Sequence, residues 1–120
     1  MKTAFLHYLQ LIRQGDMLAA IETYYDEDIL QVENSFPMPK GKIYLYQHEE
    51  KNLHQVKELA IEVVHATYDE QQDLAMGTFD IQFIDQKGAK RRLEEAFIQK
   101  WKDGKITFQR FYYEKIKAVA

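Results

Sequence analysis

From residue 56 onward the chain is one β-patterned segment after another, and this half limits the available folds more than any other feature. ELAIEVVHATY, LAMGTFDIQFI, KRRLEEAFIQKW and ITFQRFYYEKI are long and rich in β-branched and aromatic residues, with only DEQQD, DQKG and KDGK between them. Polar connections this short, the last with an Asp-Gly pair, join antiparallel neighbours; parallel strands need a long crossover. Four such strands make a meander that twists as it grows. Its apolar face must be covered by something earlier in the chain.

What precedes it is helical. Phe5, Tyr8, Leu9 and Ile12 fall on the i, i+3, i+4, i+7 stripe of a core-facing helix. Gly15 closes that helix and Asp16 caps the next, so two short helices meet at a sharp corner. The second runs through MLAAIETYY with Met17, Ile21, Tyr24 and Tyr25 inward, and Tyr24 to Asp28 read as its C-terminal turn and the step into a short strand, ILQVEN. SFPMPKGK, with two prolines and a glycine, reads as a loop. IYLYQHEEKNLHQ reads as a third helix burying Ile43, Tyr46 and Leu53. Helices first and antiparallel strands afterwards define an α+β layout. The 120 residues are expected to form a single domain, 1–120.

Composition excludes several classes of function. There is no cysteine, so disulfide and thiolate chemistry are out. A net charge of −3 and a pI near 5.8 give no general attraction to nucleic acid or anionic lipid. KRRLEE is a solvated hairpin, and no phosphate-binding glycine loop occurs. The opening MKTAFLHYLQLIRQGD lacks a signal peptide's apolar core and cleavage site, and no stretch is long enough to span a membrane. A soluble cytoplasmic protein is expected, without nucleic-acid or membrane partners. The 13% aromatic content, with eight Tyr, calls for either a wet cavity or an aromatic oligomer face, because a buried tyrosine hydroxyl needs a partner.

Among single residues, His65 shares a strand face with Leu59, Ile61 and Val63; it is a satisfied core histidine or, beside a cavity, a usable acid or base. His7, His48 and His54 read as solvated, and no histidine pair has metal-ligand spacing with a carboxylate, so no metal and no cofactor is expected. Tyr8 lies on the first helix's apolar stripe. Alternation alone puts Leu30 and Val32 in the core and Glu33 in water. On the last strand Arg110 and Tyr112 go with Ile106 and Phe108, opposite Phe111 and Tyr113. Aromatic residues on both faces suggest a homodimer formed through the sheet.

QGDMLAAIETYYDEDI, the Gly41-led third helix, MGTFDIQF and WKDGKITFQRFYYE, in this order, resemble the nuclear-transport-factor-2-like superfamily, in particular its SnoaL-like polyketide-cyclase and ketosteroid-isomerase-like branches. The resemblance covers nearly the whole chain. It implies a cone: a curved antiparallel sheet, mixed at the edge, wrapped around three N-terminal helices with a pocket inside. The superfamily includes isomerases, cyclases, dehydratases, hydrolases and non-catalytic binders, commonly dimeric. In the isomerase pattern an oxyanion-hole tyrosine stands seven residues before the Gly-Asp corner, which is Tyr8 here. The general base stands five residues after an Asp at the strand start, which from Asp28 gives Glu33, with its side chain in the cone. The third member is a protonated Asp donating to the oxyanion. Its matching position is Phe97, which has no donor, and Glu95 lies two residues earlier on the same face.

These readings give Tyr8, Glu33 and His65 as catalytic candidates and Glu95, Phe97 and Tyr112 as ligand contacts. The leading expectation is a pocket protein for a small hydrophobic organic molecule, as an enzyme an isomerase, cyclase or dehydratase working by proton transfer beside a carbonyl. The alternatives are a non-catalytic ligand-binding module and a protein-association domain of the same fold.

Overall fold

A computed structural model describes residues 2–114 and the backbone of residues 117–118. The helices are α1 (Lys2–Arg13), α2 (Met17–Tyr24) and α3 (Lys42–Leu53); the strands are β1 (Tyr25–Glu33), β2 (Phe36–Pro37), β3 (Lys57–Asp69), β4 (Leu74–Ile84), β5 (Lys90–Lys102), β6 (Lys105–Tyr113) and β7 (Lys117–Ala118). The sheet runs β2-β1-β6-β5-β4-β3, with β7 paired to β5. Every described pairing is antiparallel except β1 with β6, so the sheet is mixed at one edge. Phe5, Tyr8, Leu9 and Ile12 of α1 pack with Ala75, Phe79, Phe97, Trp101 and Ile106 of the sheet in one continuous core. The fold is α+β, three helices held in the hollow of a curved sheet. No helix among the described residues is long and apolar enough to cross a membrane.

The local signals act where the sequence places them. Gly15 adopts φ +76°, and the Asp16 carboxylate accepts from the Ala19 amide at 3.4 Å to cap α2. Asp103 and Gly104 both take positive φ, the primed turn that suits the twist of a two-residue hairpin. Two boundaries differ from expectation. The strand begins at Tyr25, not Ile29, because the acidic run forms a bulge: Tyr25 pairs with Ile106 and the regular ladder resumes only at Leu30 with Phe108. Inside it the Asp26 carboxylate accepts from the Asp28 amide at 3.0 Å. Part of the expected loop is paired, with Phe36 and Pro37 forming a short strand against β1. In α3 the buried residue is Leu45 and Ile43 is 69% exposed, since the helix starts at Lys42 and turns its 45/46/49 face inward.

Besides a slip between Lys57 and Ala60 at the start of β3, two more bulges reset the alternation that sequence counting assumes. In β3 the ladder slips between Val63 and His65, leaving Val64 as the extra residue. In β6 Thr107 is extra, between Ile106 and Phe108. A bulge reverses which residues face inward beyond it. Gly77 pairs with Ala66, just past the first of these. A Cβ there would collide with the His65 carbonyl oxygen and come within 2.7 Å of the Phe97 ring. The absent side chain is what lets Phe97 lie stacked on Phe79 with ring centroids 4.7 Å apart. Gly77→Ala should therefore lower stability by about 1–3 kcal/mol, the usual cost of overpacking, read as a fall in the urea midpoint; an unchanged midpoint would contradict this packing.

Candidate functional site

Between the helices and the sheet lies a cavity of about 630 Å³. Its walls are mostly apolar, with Ile12 and Ile21 from the helices facing Phe79, Ile81, Leu93 and Phe111 from the sheet. Into this hollow project three carboxyls: Glu33 from β1, Glu49 from α3 and Glu95 from β5, together with the phenols of Tyr8 and Tyr25. Glu33 points inward because β1 leaves its bulge with Ile29 fully buried, and Gln31 and Glu33 follow at the same parity. Leu30, at the opposite parity, is 37% exposed. The strand end is pinned by Asn34, whose positive φ suits an asparagine. Its Oδ1 accepts from the Tyr113 amide at 2.9 Å, and its carbonyl accepts from Arg110 Nε at 2.8 Å.

Electrostatics separates the carboxyls. Burial, reinforced by the charges of Glu33 and Glu49, pushes Glu95 up to about 8. Glu33 is also raised by burial, but hydrogen bonds from Gln31 and Tyr113 stabilise its charged form and oppose the rise. Glu49 is raised by burial. Near neutral pH Glu95 is thus mainly protonated and a hydrogen-bond donor. Burial, and then the charges of Glu95 and Glu49, holds the Tyr8 phenol above its ordinary range, against a hydrogen bond donated by Gln99.

The two glutamines behind Tyr8, Gln99 and Gln109, are completely buried. Gln99 Nε2 donates to Gln109 Oε1 at 3.1 Å, and Gln109 Nε2 donates to Gln31 Oε1 at 2.6 Å and to the Tyr25 hydroxyl at 2.5 Å. Gln31 Nε2 reaches Glu33 Oε2 at 3.5 Å. Sequence reasoning passed over these amides and Glu49. The available signal was a polar residue at inward parity on an aromatic face, as in Phe97-x-Gln99-x-Trp101, and Glu49 one turn after Leu45.

The structure brings Tyr8, Glu33 and Glu95 to one cavity and leaves the other three candidates elsewhere. Phe97, 3% exposed, backs the wall through its contact with Phe79 and does not line the cavity. His65 is on the outer face of the sheet, its Nδ1 2.9 Å from Thr78 Oγ1, because the Val64 bulge turns it out. Tyr112 is also outside, 46% exposed, with the Arg110 guanidinium 4.7 Å above its ring. The Thr107 bulge is the cause: beyond it Gln109, Phe111 and Tyr113 face in, and Phe108, Arg110 and Tyr112 face out.

No protein-family model matches the sequence, and no curated protein matches it. Solved structures do match in shape. A SnoaL-like polyketide cyclase so named provisionally from Mesorhizobium loti superposes with a TM-score of 0.76 at 24% identity, over 93% of this chain and 97% of that one. An epoxide hydrolase/cyclase-like enzyme of pyran-ring formation in the polyether salinomycin gives 0.79 at 15% identity, over 98% and 95%. A protein of ketosteroid isomerase-like fold from Catenulispora acidiphila, in complex with trimethylamine, gives 0.67 at 16% identity, over 81% and 75%. The chain therefore has the nuclear-transport-factor-2-like fold that these proteins share.

The raised Glu95 has a thermodynamic consequence. Its ordinary value is 4.5. Between there and about 8 the folded chain keeps a proton that the unfolded chain has released, so this group makes stability fall as pH rises through that window. Glu95→Gln should add on the order of 1–3 kcal/mol at pH 8 and little at pH 4.5, measured by urea unfolding at both pH values. Equal effects at the two would contradict the assignment.

Proposed function

We propose that the cavity binds a small, hydrophobic carbonyl compound and that the chain is a cofactor-free enzyme of proton transfer, an isomerase, cyclase or dehydratase. One observation carries this reading: three carboxyls project into an apolar cavity beside a buried phenol, one of them pushed up to about 8 and another held back by hydrogen bonds to its charged form. Glu33, kept partly as the anion by Gln31 and Tyr113, takes the proton from the carbon next to the carbonyl. The electron pair moves to the carbonyl oxygen, where Tyr8 and protonated Glu95 donate hydrogen bonds. Glu33 then returns the proton at a second carbon, or to a departing oxygen. Glu95 thus supplies the donor that Phe97 lacks. His65, on the outer face, has no part in the step.

Charge narrows the ligand further. Among the lining residues Arg91 is engaged by Asp85 at 2.8 Å and Lys87 is exposed, and no cation is among the groups that shift the three glutamates. A neutral or positively charged ligand fits; an anionic one does not. The filled interior expected of a pure association domain is at odds with a hollow of about 630 Å³. Nuclear magnetic resonance of α-deuterium exchange in a panel of cyclic ketones and enones tests the reading. Glu33→Gln should cost at least about 10²-fold in the exchange rate, and Tyr8→Phe about 10²–10³-fold. The rate should rise as Glu33 ionises and fall above about 8 as Glu95 does. Binding without exchange at any pH would favour the non-catalytic module and refute the enzyme.

The outer face of the sheet supports a homodimer as part of the same proposal. Met76 of β4 and Val64 of β3 are each 47% exposed and Tyr112 of β6 is 46% exposed, spread from one edge of the sheet towards its middle. Sedimentation at micromolar concentration should give twice 14.3 kDa, and Met76→Glu should return the monomer mass. A monomer without the substitution would dispose of the dimer.

A further inference from the structure

The buried amides behind the cavity form a chain with one direction. The Trp101 indole N–H is a donor only, and it donates to Gln99 Oε1 at 3.2 Å. With its oxygen so engaged, Gln99 offers its two N–H groups to Gln109 Oε1 and to the Tyr8 oxygen. Gln109, its oxygen occupied in turn, donates to Gln31 Oε1 and to Tyr25. Gln31 is left with its amide N–H facing Glu33. Turning any one amide over would set donor against donor or acceptor against acceptor. Gln99 and Gln109 have 0% exposure, so no bulk water is at hand to repair the mismatch. Each group left unmatched costs about 1–3 kcal/mol. The donor-only indole therefore sets the orientation of every amide down to the carboxylate.

We propose that Trp101, Gln99, Gln109 and Gln31 are positioning residues. They form a hydrogen-bond relay that presents Glu33 as an acceptor and leaves the Tyr8 proton to be donated into the cavity. A base needs the first and an oxyanion donor needs the second, and a single polarity supplies both. The catalytic meaning rests on the proton-transfer reading; the relay itself is independent of turnover. The other titratable groups coupled to Glu33 are Tyr113 of β6, hydrogen-bonded to it, Glu49 of α3, Glu95 of β5 and Tyr25 of β1.

The sequence contains one tryptophan, so a ¹H–¹⁵N spectrum carries one indole resonance. Hydrogen bonds in series polarise one another, so protonation of Glu33 should reach that resonance. The expected result is an indole shift with a component at the Glu33 midpoint, followed in parallel by the Glu33 side-chain ¹³C signal and absent from Glu33→Gln. Gln109→Met keeps the volume and removes the link; it should abolish that component and move the Glu33 midpoint upward, because Gln31 is no longer held facing it. Should Gln109→Met not fold, Gln31→Met cuts the chain at a half-buried position and should abolish the same indole component. An indole resonance that does not follow Glu33, or that follows it equally well in the cut variant, overturns the relay. Absence of ketone exchange with a responsive indole would sink the enzyme reading and leave the relay standing.

Discussion

Gln99 and Gln109 face each other on β5 and β6 with no exposure to solvent, and most of the interior is arranged around satisfying them. A buried amide left unpaired costs about as much as a good side-chain contact contributes. The requirement places Trp101 beside Gln99, brings Tyr25 and Gln31 of β1 against Gln109, and gives Tyr8 of α1 its donor. Four elements are thereby fixed relative to one another by polar geometry as well as by apolar packing. Among the described residues no buried side-chain nitrogen or oxygen lacks a partner.

The same polar core explains how the domain keeps a hollow. Ordinary cores fill to crystal-like density, and this one does so at the Trp101 end, where Phe5, Tyr8, Tyr24 and Tyr68 all have ring centroids within 6.4 Å of the indole. Towards Glu33, Glu49 and Glu95 the packing opens. Carboxyls drawn into an apolar space shift towards their neutral forms, and mutual repulsion drives one further than the others. Glu95 has no hydrogen bond to oppose its burial and, unlike Glu49, also meets the charges of its two neighbours, so it shifts to about 8. Glu33 has two donors and is held back. Hydrogen bonding, together with the charges of neighbouring acids, thus separates their acidities.

The helical stripe of Phe5, Tyr8, Leu9 and Ile12, the Gly15-Asp16 corner and the Asp-Gly hairpin are local signals, and the fold follows from them with the meander. The site was less legible, for a geometric reason. Alternation arguments run on a period of two, and a single extra residue inverts every assignment beyond it. Val64 and Thr107 are such residues, and they moved His65 and Tyr112 from the expected interior to the outer face. Neither bulge carries a glycine or proline of its own; the nearest mark is Gly77, on the partner strand. Alternation alone put Glu33 in water, because Leu30 and Val32 are more apolar than Gln31 and Glu33, and the structure reverses it. The bulge in the acidic run decides it, together with the parallel pairing to β6, a contact between distant parts of the chain.

The central claim is that Glu33 and Glu95 share one cavity in opposite protonation states at neutral pH. Side-chain ¹³C carboxyl shifts of glutamate-labelled protein, assigned with Glu33→Gln and Glu95→Gln and followed from pH 3 to 10, measure it directly. The account predicts a Glu95 midpoint at about 8 that falls when Glu33 is made permanently neutral by Glu33→Gln, with Glu33 itself ionising at lower pH. Glu95 titrating with the solvent-exposed glutamates, or Glu33 remaining protonated to higher pH than Glu95, would contradict it.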